Sequence, residues 1–518
     1  MKEATDDFDI QSVLQYDLNN NVNYIKTLFH DCSDFVIRSI IAGDRKACLF
    51  YIEGLINDDN IQTHVLQQLL NHSQVETFDF NNLEERILSI HGVKEINKMG
   101  EIINSILDGK TALLVDGKNI AIILETKGGK QRNVSGPETE NVIRGPREGF
   151  NENLGVNLAL IRRKIRSHRL KVISKKAGTE TKTGLAIVYM EGIASPDLIQ
   201  EVMNRLDRIK IDGVLESGYI EELIEDNPWS SFPQIQVTEK PDTVAGNLLE
   251  GRISILVDGT PFALIVPATF WQLIQSSEDY YERFHVAIFL RTIRLFLIII
   301  ALLLPSIYVA VSTFHQEMLP TALLLSLANS REKIPFPAVV EALIMELAFE
   351  ALREAGIRSP KVVGQTVSIV GAIVIGTASV QAGIVSAPMV LIVSLTGIAS
   401  STIPRFNIGN SIRMMRFPLM ILAASLGLFG IMVGLVVLTT QLLKLRSFGV
   451  PYLAPFTPIS VQEIKDTLFM RAPWWHMKFR PINIAAKNLK RERSNQHPSP
   501  KQSAGILKRK HDSGAEEP

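Results

Sequence analysis

Three glutamates interrupt one apolar stretch in the second half of this 518-residue chain, and their spacing suggests what they could do. Glu341, Glu346 and Glu350 fall within residues 338–352. Glu346 and Glu350 are four residues apart and therefore share one helix face, whereas Glu341 points away from them. Burying a carboxylate in an apolar helical domain costs free energy. Such carboxylates usually face the interior of a helix bundle or a water-filled cavity, where they can attract cations. An amphipathic helix at a membrane surface, with its acids in water, is the alternative.

Small and hydroxyl-bearing residues form a second pattern that could act on ions. No charged residue occurs between Lys361 and Arg405, a length sufficient for two membrane-spanning helices with a break near residues 381–383. Small residues let helices approach closely, and hydroxyl groups bond across them. The candidate pore or gating residues of this hairpin are Ser368, Thr377, Ser379 and Gln381.

Enzyme chemistry finds no support in the sequence. The chain contains no Walker-type phosphate loop, no HExxH, no GxSxG and no CxxC pair. Its two cysteines, Cys32 and Cys48, argue against a disulfide framework or a zinc site. We therefore expect a protein that is not an enzyme and that uses no cofactor and no metal.

A basic region separates two parts of the soluble half. Arginines, lysine and histidine are dense at residues 162–169, and a basic cluster of this kind can bind an anionic surface. Membrane lipid or a neighbouring subunit is favoured over nucleic acid, and a solvated helix face is the alternative. The motif that precedes this basic region is a candidate junction between the subdomains. It comprises Arg144, Gly145, Pro146, Arg147, Glu148 and Phe150.

Hydropathy divides the chain into a soluble half and a membrane half. Residues before 283 carry scattered charges, residues 295–443 are strongly apolar, and the chain beyond residue 478 is polar and basic. The acidic residues 1–10 lack an apolar run, so we expect no signal peptide. Spans are predicted at residues 295–314, 362–380, 384–403 and 417–443, and short or interfacial elements at 318–330, 338–352 and 448–459.

The orientation of the spans follows from the basic residues that flank them. Arg291 and Arg294 precede the first span and place the soluble half in the cytoplasm. Pro305 lies within that span, which requires a neighbour to bond the freed carbonyl. A span at residues 417–443 would leave Lys444 outside unless the proline-rich residues 448–459 form a re-entrant or interfacial turn packed on protein.

An internal duplication organises the soluble half. Residues 106–124 align with residues 248–266, and each copy places Asp-Gly, at 116–117 and 258–259, between two aliphatic runs. That pattern predicts a β-hairpin, and the repeated Asp-Gly pairs serve the turn. A second match, residues 51–55 with 189–193, precedes a helical pattern in both copies.

The predicted fold is therefore an α+β soluble half of two duplicated subdomains joined to an α-helical, multi-pass membrane domain. The expected boundaries are an acidic segment at 1–29, a first subdomain at 30–140, a basic linker helix at 141–179 and a second subdomain at 180–280. The membrane domain follows at 285–460. A basic cytoplasmic tail, disordered beyond about residue 484, occupies 461–518.

Four segments together resemble one family, the A subunits of GerA-type spore germination receptors. These are IRGPREGFNENLGVNLALIRRKI at 143–165, the central hairpin at 358–387, SFGVPYLAPFTP at 447–458 and RAPWWHMKFRP at 471–481. The resemblance covers residues 30 to 482. It implies an inner-membrane subunit of the bacterial spore that works with a permease-like B subunit, which senses the nutrient, and a lipoprotein C subunit.

The resemblance further implies a ring of A subunits that gates cation release and so starts germination. A non-conducting scaffold that clusters receptor components is the alternative, as is the paralogous subunit associated with dipicolinate release. A secondary transporter would predict inverted repeats in the membrane half, and the repeat found lies in the soluble half.

Overall fold

The computed structural model describes residues 12–42, 45–67, 92–128, 136–140, 142–460, 463–467, 472–474, 477, 479–481 and 484–486. Residues 1–11 of the acidic N-terminal segment, residues 68–91 and 129–135 of the first subdomain and the basic tail beyond residue 486 lie outside these described residues. The expectation of a disordered tail therefore stays a prediction.

The first subdomain is an antiparallel sheet with helices packed on it. Its strands are β1 (Phe35–Ala42), β2 (Arg45–Ile52), β3 (Val93–Ile96), β4 (Thr111–Val115) and β5 (Ala121–Leu124), in the order β1-β2-β4-β5-β3. Helices α1 (Leu18–Leu28) and α2 (Met99–Leu107) bury their apolar faces against it. A short helical stretch spans residues 58–66.

The second subdomain repeats this topology. Its strands are β6 (Leu170–Ala177), β7 (Thr183–Met190), β8 (Gln236–Thr238), β9 (Ile253–Val257) and β10 (Ala263–Val266), in the order β6-β7-β9-β10-β8. Helix α3 (Leu154–Lys164) precedes the sheet, and α4 (Pro196–Asp207), α5 (Ser217–Ile224), α6 (Pro241–Leu248) and α7 (Phe270–Ile274) follow within or after it. The identical strand order confirms the predicted duplication.

The two Asp-Gly pairs lie in equivalent hairpins, as predicted. Strands β4 and β5 pair from Thr111 with Leu124, and β9 and β10 pair from Ile253 with Val266. Gly117 and Gly259 adopt φ of 76° and 86° in the turns, which glycine tolerates without a steric cost.

Both subdomains begin earlier than the sequence indicates. Helix α1 lies in the predicted N-terminal segment, yet Leu18, Ile25 and Leu28 are buried in the core of the first subdomain. Its asparagine-rich sequence obscures the apolar stripe. Strand β6 begins at Leu170, inside the predicted linker. Its three lysines, Lys171, Lys175 and Lys176, continue the basic composition of the preceding helix, so the prediction included them in the linker.

Direct contacts join the two subdomains. The amide of Ser33 donates to the Val172 carbonyl at 2.9 Å, and the amide of Val172 donates to Asp31 at 2.9 Å. Arg162 of α3 forms two hydrogen bonds to Asp34, of 2.7 and 2.8 Å, with both side chains buried. The two subdomains are therefore held together by buried contacts as well as by the linker between them.

Seven further α-helices lie in the described part of the C-terminal half. They are α8 (Phe284–Thr313), α9 (Thr321–Arg331), α10 (Ala338–Arg358), α11 (Lys361–Gln381), α12 (Ala387–Ser401), α13 (Phe406–Leu426) and α14 (Leu428–Lys444). Helix α8 is central and packs against α10, α12, α13 and α14. The hairpin break falls after Gln381, as predicted, whereas the element expected at 338–352 continues to Arg358.

The span predicted at residues 417–443 is wrong. Gly427, with φ of 62° and ψ of −143°, ends α13, and α14 turns back along it. The helices approach closely, since a Cβ at Gly434 would lie 2.4 Å from Leu419 Cδ2. The run is uniformly apolar and its glycines suit helix contacts equally well, so hydropathy could not locate the turn. Because the chain reverses, Lys444 returns to the side of the soluble half.

Residues 448–459 form a turn packed on protein, as predicted. Its hydrogen-bond partners lie in the second subdomain, which favours the interfacial alternative over the re-entrant one. Strands β11 (Arg446–Ser447) and β12 (Val450–Pro451) form a small hairpin. Ser447 Oγ donates to the Gln234 carbonyl and accepts from the Ala268 amide, and Tyr452 donates to the Pro233 carbonyl at 2.7 Å. The prolines of residues 448–459 prevent a regular helix or strand, and the hydrogen bonds to the second subdomain fix the position of this segment.

Candidate functional site

Glu346 lies at the centre of the helical half in a buried ion pair with Arg416. Both side chains are at most 1 % exposed, and Arg416 Nη1 donates to Glu346 Oε2. Arg416 Nε also donates to the Ala301 carbonyl at 2.9 Å. Pro305 lies four residues beyond Ala301 and supplies no N–H to that carbonyl. Arg416 therefore ties α10, α13 and the proline of α8 together.

Glu350 continues the same face of α10 towards the soluble half. Arg413 Nε lies 3.4 Å from Glu350 Oε1, and the carboxylate is 29 % exposed. Arg353 follows on this face, with its guanidinium 5.8 Å from the centre of the Phe406 ring. The prediction that Glu346 and Glu350 share a face is confirmed, since both pair with arginines of α13.

Glu341 has different partners at the opposite end of α10. Its carboxylate is fully buried and lies 3.2 Å from Arg331 Nε. The amide and hydroxyl of Ser386, which precedes α12, donate to Glu341 Oε2 at 3.0 and 2.9 Å. Glu341 thus stabilises the start of α12, where an anion is favourable.

These pairings decide between the two interpretations of the acids of α10. The acids of α10 do not all lie in water, because Glu341 and Glu346 are completely buried, so the alternative of a helix with solvated acids is wrong. The arginines of α13 are paired as well, because Arg413 and Arg416 contact these acids and Arg405, just before the helix, lies 2.6 Å from Glu140. A paired carboxylate attracts a passing cation less than a free one.

The uncharged hairpin residues lie on α11, which packs mainly on α10 at the edge of the helical half. Thr377 and Gln381 are exposed and Ser379 is half-buried. The Thr377 hydroxyl donates to the Ile373 carbonyl at 2.7 Å. The backbone of Ser368 lies in α11. Among the described side chains, no hydrogen bond joins Thr377, Ser379 or Gln381 to the three glutamates.

A junction network joins the start of α8 to the soluble half. Asp279 accepts hydrogen bonds from Arg291 at 3.1 Å and from Arg294 at 3.0 and 3.2 Å. Arg291 also donates to Asp466 at 3.0 Å, and Tyr280 donates to Asp466 at 2.9 Å. Burial raises the pKa of the Asp466 carboxyl, and the adjacent arginine opposes that rise.

The sequence indicated the two arginines of this network only as flanking charges. Their partners were missed because Asp279 and Asp466 stand in segments with no periodic pattern. The signal in the sequence that could have indicated acidic partners is the pair Arg291 and Arg294 near the start of the apolar helix α8.

The motif at residues 144–150 lies along the second subdomain and the segment before α8. The Arg144 amide donates to Glu278 at 3.1 Å, and a Cβ at Gly145 would lie 2.9 Å from the Tyr281 ring. Phe150 is buried, and its amide donates to the Glu239 carbonyl at 2.8 Å. Glu148 pairs with Lys164 of α3, Arg147 is exposed and Pro146 is half-buried.

Much of the basic charge of residues 162–169 is used inside the protein. Arg162 is buried against Asp34, Lys164 pairs with Glu148 and Arg166 lies 2.7 Å from Asp108. These pairings favour a role in fixing the subdomains over the binding of a lipid surface.

Comparison with known proteins shows the family. The family model for Bacillus/Clostridium GerA spore germination protein matches residues 23–483. Uncharacterized membrane protein YfkQ of Bacillus subtilis (strain 168) is 52% identical over 91% of this chain and 92% of its own. Spore germination protein KA of the same organism is 45% identical over 95% of this chain and 91% of its own.

A solved structure matches half of the chain. The N-terminal domain of the A subunit of the Bacillus megaterium spore germinant receptor GerK3 is 40% identical, with a TM-score of 0.40. The match covers 50% of this chain and 98% of that domain. With the family model matched along most of its length, this chain belongs to the GerA family of spore germination proteins.

Proposed function

We propose that this chain is the A subunit of a nutrient receptor that triggers spore germination, and that it forms an oligomeric, gated cation channel in the spore inner membrane. Membership of the GerA family and the 45% identity to a spore germination protein support the receptor role. The permease-like B subunit and the lipoprotein C subunit would be its partners.

The length of the helices and their exposed apolar side chains support the proposal that the helical half lies in a membrane. Among the described residues, one helix, α8, meets the length and hydropathy expected of a membrane span. Helices α10, α11 and α13 have 21 residues each, about 31 Å at 1.5 Å per residue, close to the thickness of a bilayer core. Large apolar side chains exposed on these helices and their neighbours include Phe296, Leu347, Ile373, Leu391, Ile421 and Val436. Apolar surface of this extent suits lipid or a partner subunit.

The ends of the helical half support a multi-pass topology with the soluble half in the cytoplasm. Helix α8 starts beside Asp279, and the chain after α14 returns to Gln234 and Ala268 of the second subdomain. Both ends therefore lie on one side, which an even number of crossings requires. The basic residues at this junction favour the cytoplasmic side.

Helix α11 is the best candidate for a pore wall. It lies at the edge of the single chain and leaves Thr377 and Gln381 exposed, so a ring of copies could place these uncharged polar groups around an axis. Glu341 and Glu346 are neutralised by arginines and hold the helices together in this proposal. Glu350, which is partly exposed, would supply negative charge at the entrance of the pore.

Cation flux through the purified chain in liposomes tests the proposal. We expect K⁺ efflux from the assembled wild-type oligomer and at least a tenfold loss in Thr377→Leu. Thr439→Leu is the matched control, because Thr439 is also an exposed helical threonine whose hydroxyl donates to a backbone carbonyl, that of Leu435 at 2.8 Å. Equal loss in both variants would contradict a pore wall on α11.

The scaffold alternative is favoured by the pairing of the buried acids, since a bundle held by internal ion pairs needs no water path. A correctly assembled wild-type oligomer without flux, alone and together with its B and C subunits, would support the scaffold. Flux in the complete complex but not in the isolated chain would support a channel that needs its partners to open.

A further inference from the structure

A cavity of about 530 Å³ lies where the second subdomain, α7 and the C-terminal segment meet. We call it the junction cavity. Its walls include Asp242 and Thr243 of α6, Arg252 at the start of β9 and Trp271 of α7. Tyr280 and Trp474 complete an aromatic lining. This volume falls in the range of sites for small organic ligands.

Arg252 is a buried cation on this wall that forms no ion pair with the residues described around it. It is 4% exposed, and Nη1 donates to the Pro267 carbonyl. It forms no ion pair within 4 Å with any residue that the structure describes, and its buried Nε has no hydrogen-bond partner there. Burial lowers the pKa of this guanidinium to about 10, and the carboxylates of Glu250 and Glu463, which also line the cavity, oppose that fall without forming an ion pair with it. A buried charge without a partner is unfavourable, so an anionic group that enters the cavity would gain a strong contact.

Asp242 places a negative charge on the wall of the same cavity. Its Oδ2 accepts from the Tyr281 hydroxyl at 2.5 Å and lies 3.4 Å from Lys240 Nζ. Its Oδ1 is buried without a partner among the described residues, as is Thr243 Oγ1 on the next residue. A ligand with a hydrogen-bond donor would satisfy these atoms.

The aromatic side chains add a flat apolar surface. Trp271 is fixed by the bond from its Nε1 to the Leu453 carbonyl at 3.0 Å. Tyr280 is fixed by its hydrogen bonds to Gln275 and Asp466, of 2.8 and 2.9 Å. The ring centres of Tyr280 and Trp474 are 6.1 Å apart. Rigid rings of this kind suit a ligand with a flat apolar group.

We propose that the junction cavity binds a small aromatic zwitterion, with its carboxylate on Arg252, its ammonium group on Asp242 and its ring against Trp271 and Tyr280. The cavity lies beside the Asp279–Arg291–Asp466 network, so an occupant would contact the elements that join the soluble half to α8. The inference goes beyond the proposed channel and does not depend on conduction.

Calorimetric titration of the full chain in lipid nanodiscs tests binding directly. The probes are phenylalanine, whose charges are adjacent, and 4-(aminomethyl)benzoate, whose charges lie across the ring. The single-charge analogues are 3-phenylpropanoate and benzylamine. We expect saturable binding of at least one zwitterion, at least tenfold tighter than that of either single-charge analogue. Absence of binding by both zwitterions at millimolar concentration would overturn the proposal.

Variants separate a ligand site from a structural role. Arg252→Gln and Asp242→Asn should each weaken binding at least tenfold, and Arg252→Lys should retain more affinity than Arg252→Gln. Arg38→Gln, which changes an exposed arginine on β1, should bind as the wild type does.

Stability gives a second readout. Without ligand, Arg252→Gln should melt at or above the wild-type temperature, because it removes an unpaired buried charge. Unchanged affinity in both site variants would refute the assignment, and so would a lowered melting temperature of Arg252→Gln together with unchanged affinity of Asp242→Asn.

Discussion

Replacing Glu346 with glutamine should strongly destabilise the helical half. The substitution keeps the size of the side chain but removes the charge that pairs with Arg416. Arg416 is 1% exposed and has no access to water that could take the place of its partner. Its remaining bond, to the Ala301 carbonyl, is made to a neutral group.

The expected cost follows from this burial. Removing one partner of a buried ion pair typically costs about 3–5 kcal/mol, because the other charge is left uncompensated. That energy corresponds to a factor of roughly 10² to 10⁴ in the folding equilibrium. Replacing both partners, as in Glu346→Leu with Arg416→Met, removes the unpaired charge. The double variant should therefore be more stable than Glu346→Gln.

Thermal unfolding in detergent micelles measures the effect, with a matched control on the same helix. Glu354 pairs with Arg358 one turn apart, with side chains 59% and 78% exposed. Glu354→Gln should cost no more than about 0.5 kcal/mol, as is usual for an exposed pair. Equal melting temperatures for Glu346→Gln and Glu354→Gln would refute the argument that burial makes the first pair essential.

Three further predictions concern other parts of the molecule. Asp34→Asn should destabilise the soluble half by about 3 kcal/mol, because it leaves Arg162 buried and unpaired, and thermal unfolding of the full chain would show it. Gly427→Ala should cost about 1–3 kcal/mol, because φ is 62° there, whereas Gly246→Ala, in open space, should melt as the wild type does. Burial raises the pKa of Glu221 from 4.5 to about 8, so the folded state holds this proton more tightly than the unfolded state. The resulting stability is complete below pH 4.5 and is lost as the pH rises to 8; Glu221→Gln should flatten that loss in melting curves.

The duplication could be predicted because turn chemistry is local. The Asp-Gly pairs at residues 116–117 and 258–259 need no distant partner to form their hairpins, and the flanking aliphatic runs set the strands. The break after Gln381 was predictable for the same reason. Helix α1 escaped prediction because its four buried side chains are separated by polar residues, and its role depends on a sheet formed later in the chain.

The ion-pair partners of the charged residues could not be predicted, because they are set by tertiary contacts that the spacing of residues along the sequence does not reveal. Helix periodicity placed Glu346 and Glu350 on one face, but their partners lie on α13, about 65 residues further along the chain. Pro305 indicated that some donor must bond the freed carbonyl, and the structure identifies that donor as Arg416. The turn at Gly427 left no such signal, because helix-packing glycines and a turn glycine look alike in an apolar run.

The most direct test of the channel proposal is thiol modification at the pore wall during flux. Cys32 and Cys48 are buried, so a cysteine introduced at Thr377 would be the main target of a charged, membrane-impermeant thiol reagent. We predict that the reagent blocks K⁺ flux in Thr377→Cys liposomes and leaves flux unchanged in Ile421→Cys, where the exposed side chain would face lipid. Flux that survives full labelling of Thr377→Cys would contradict a pore lined by α11.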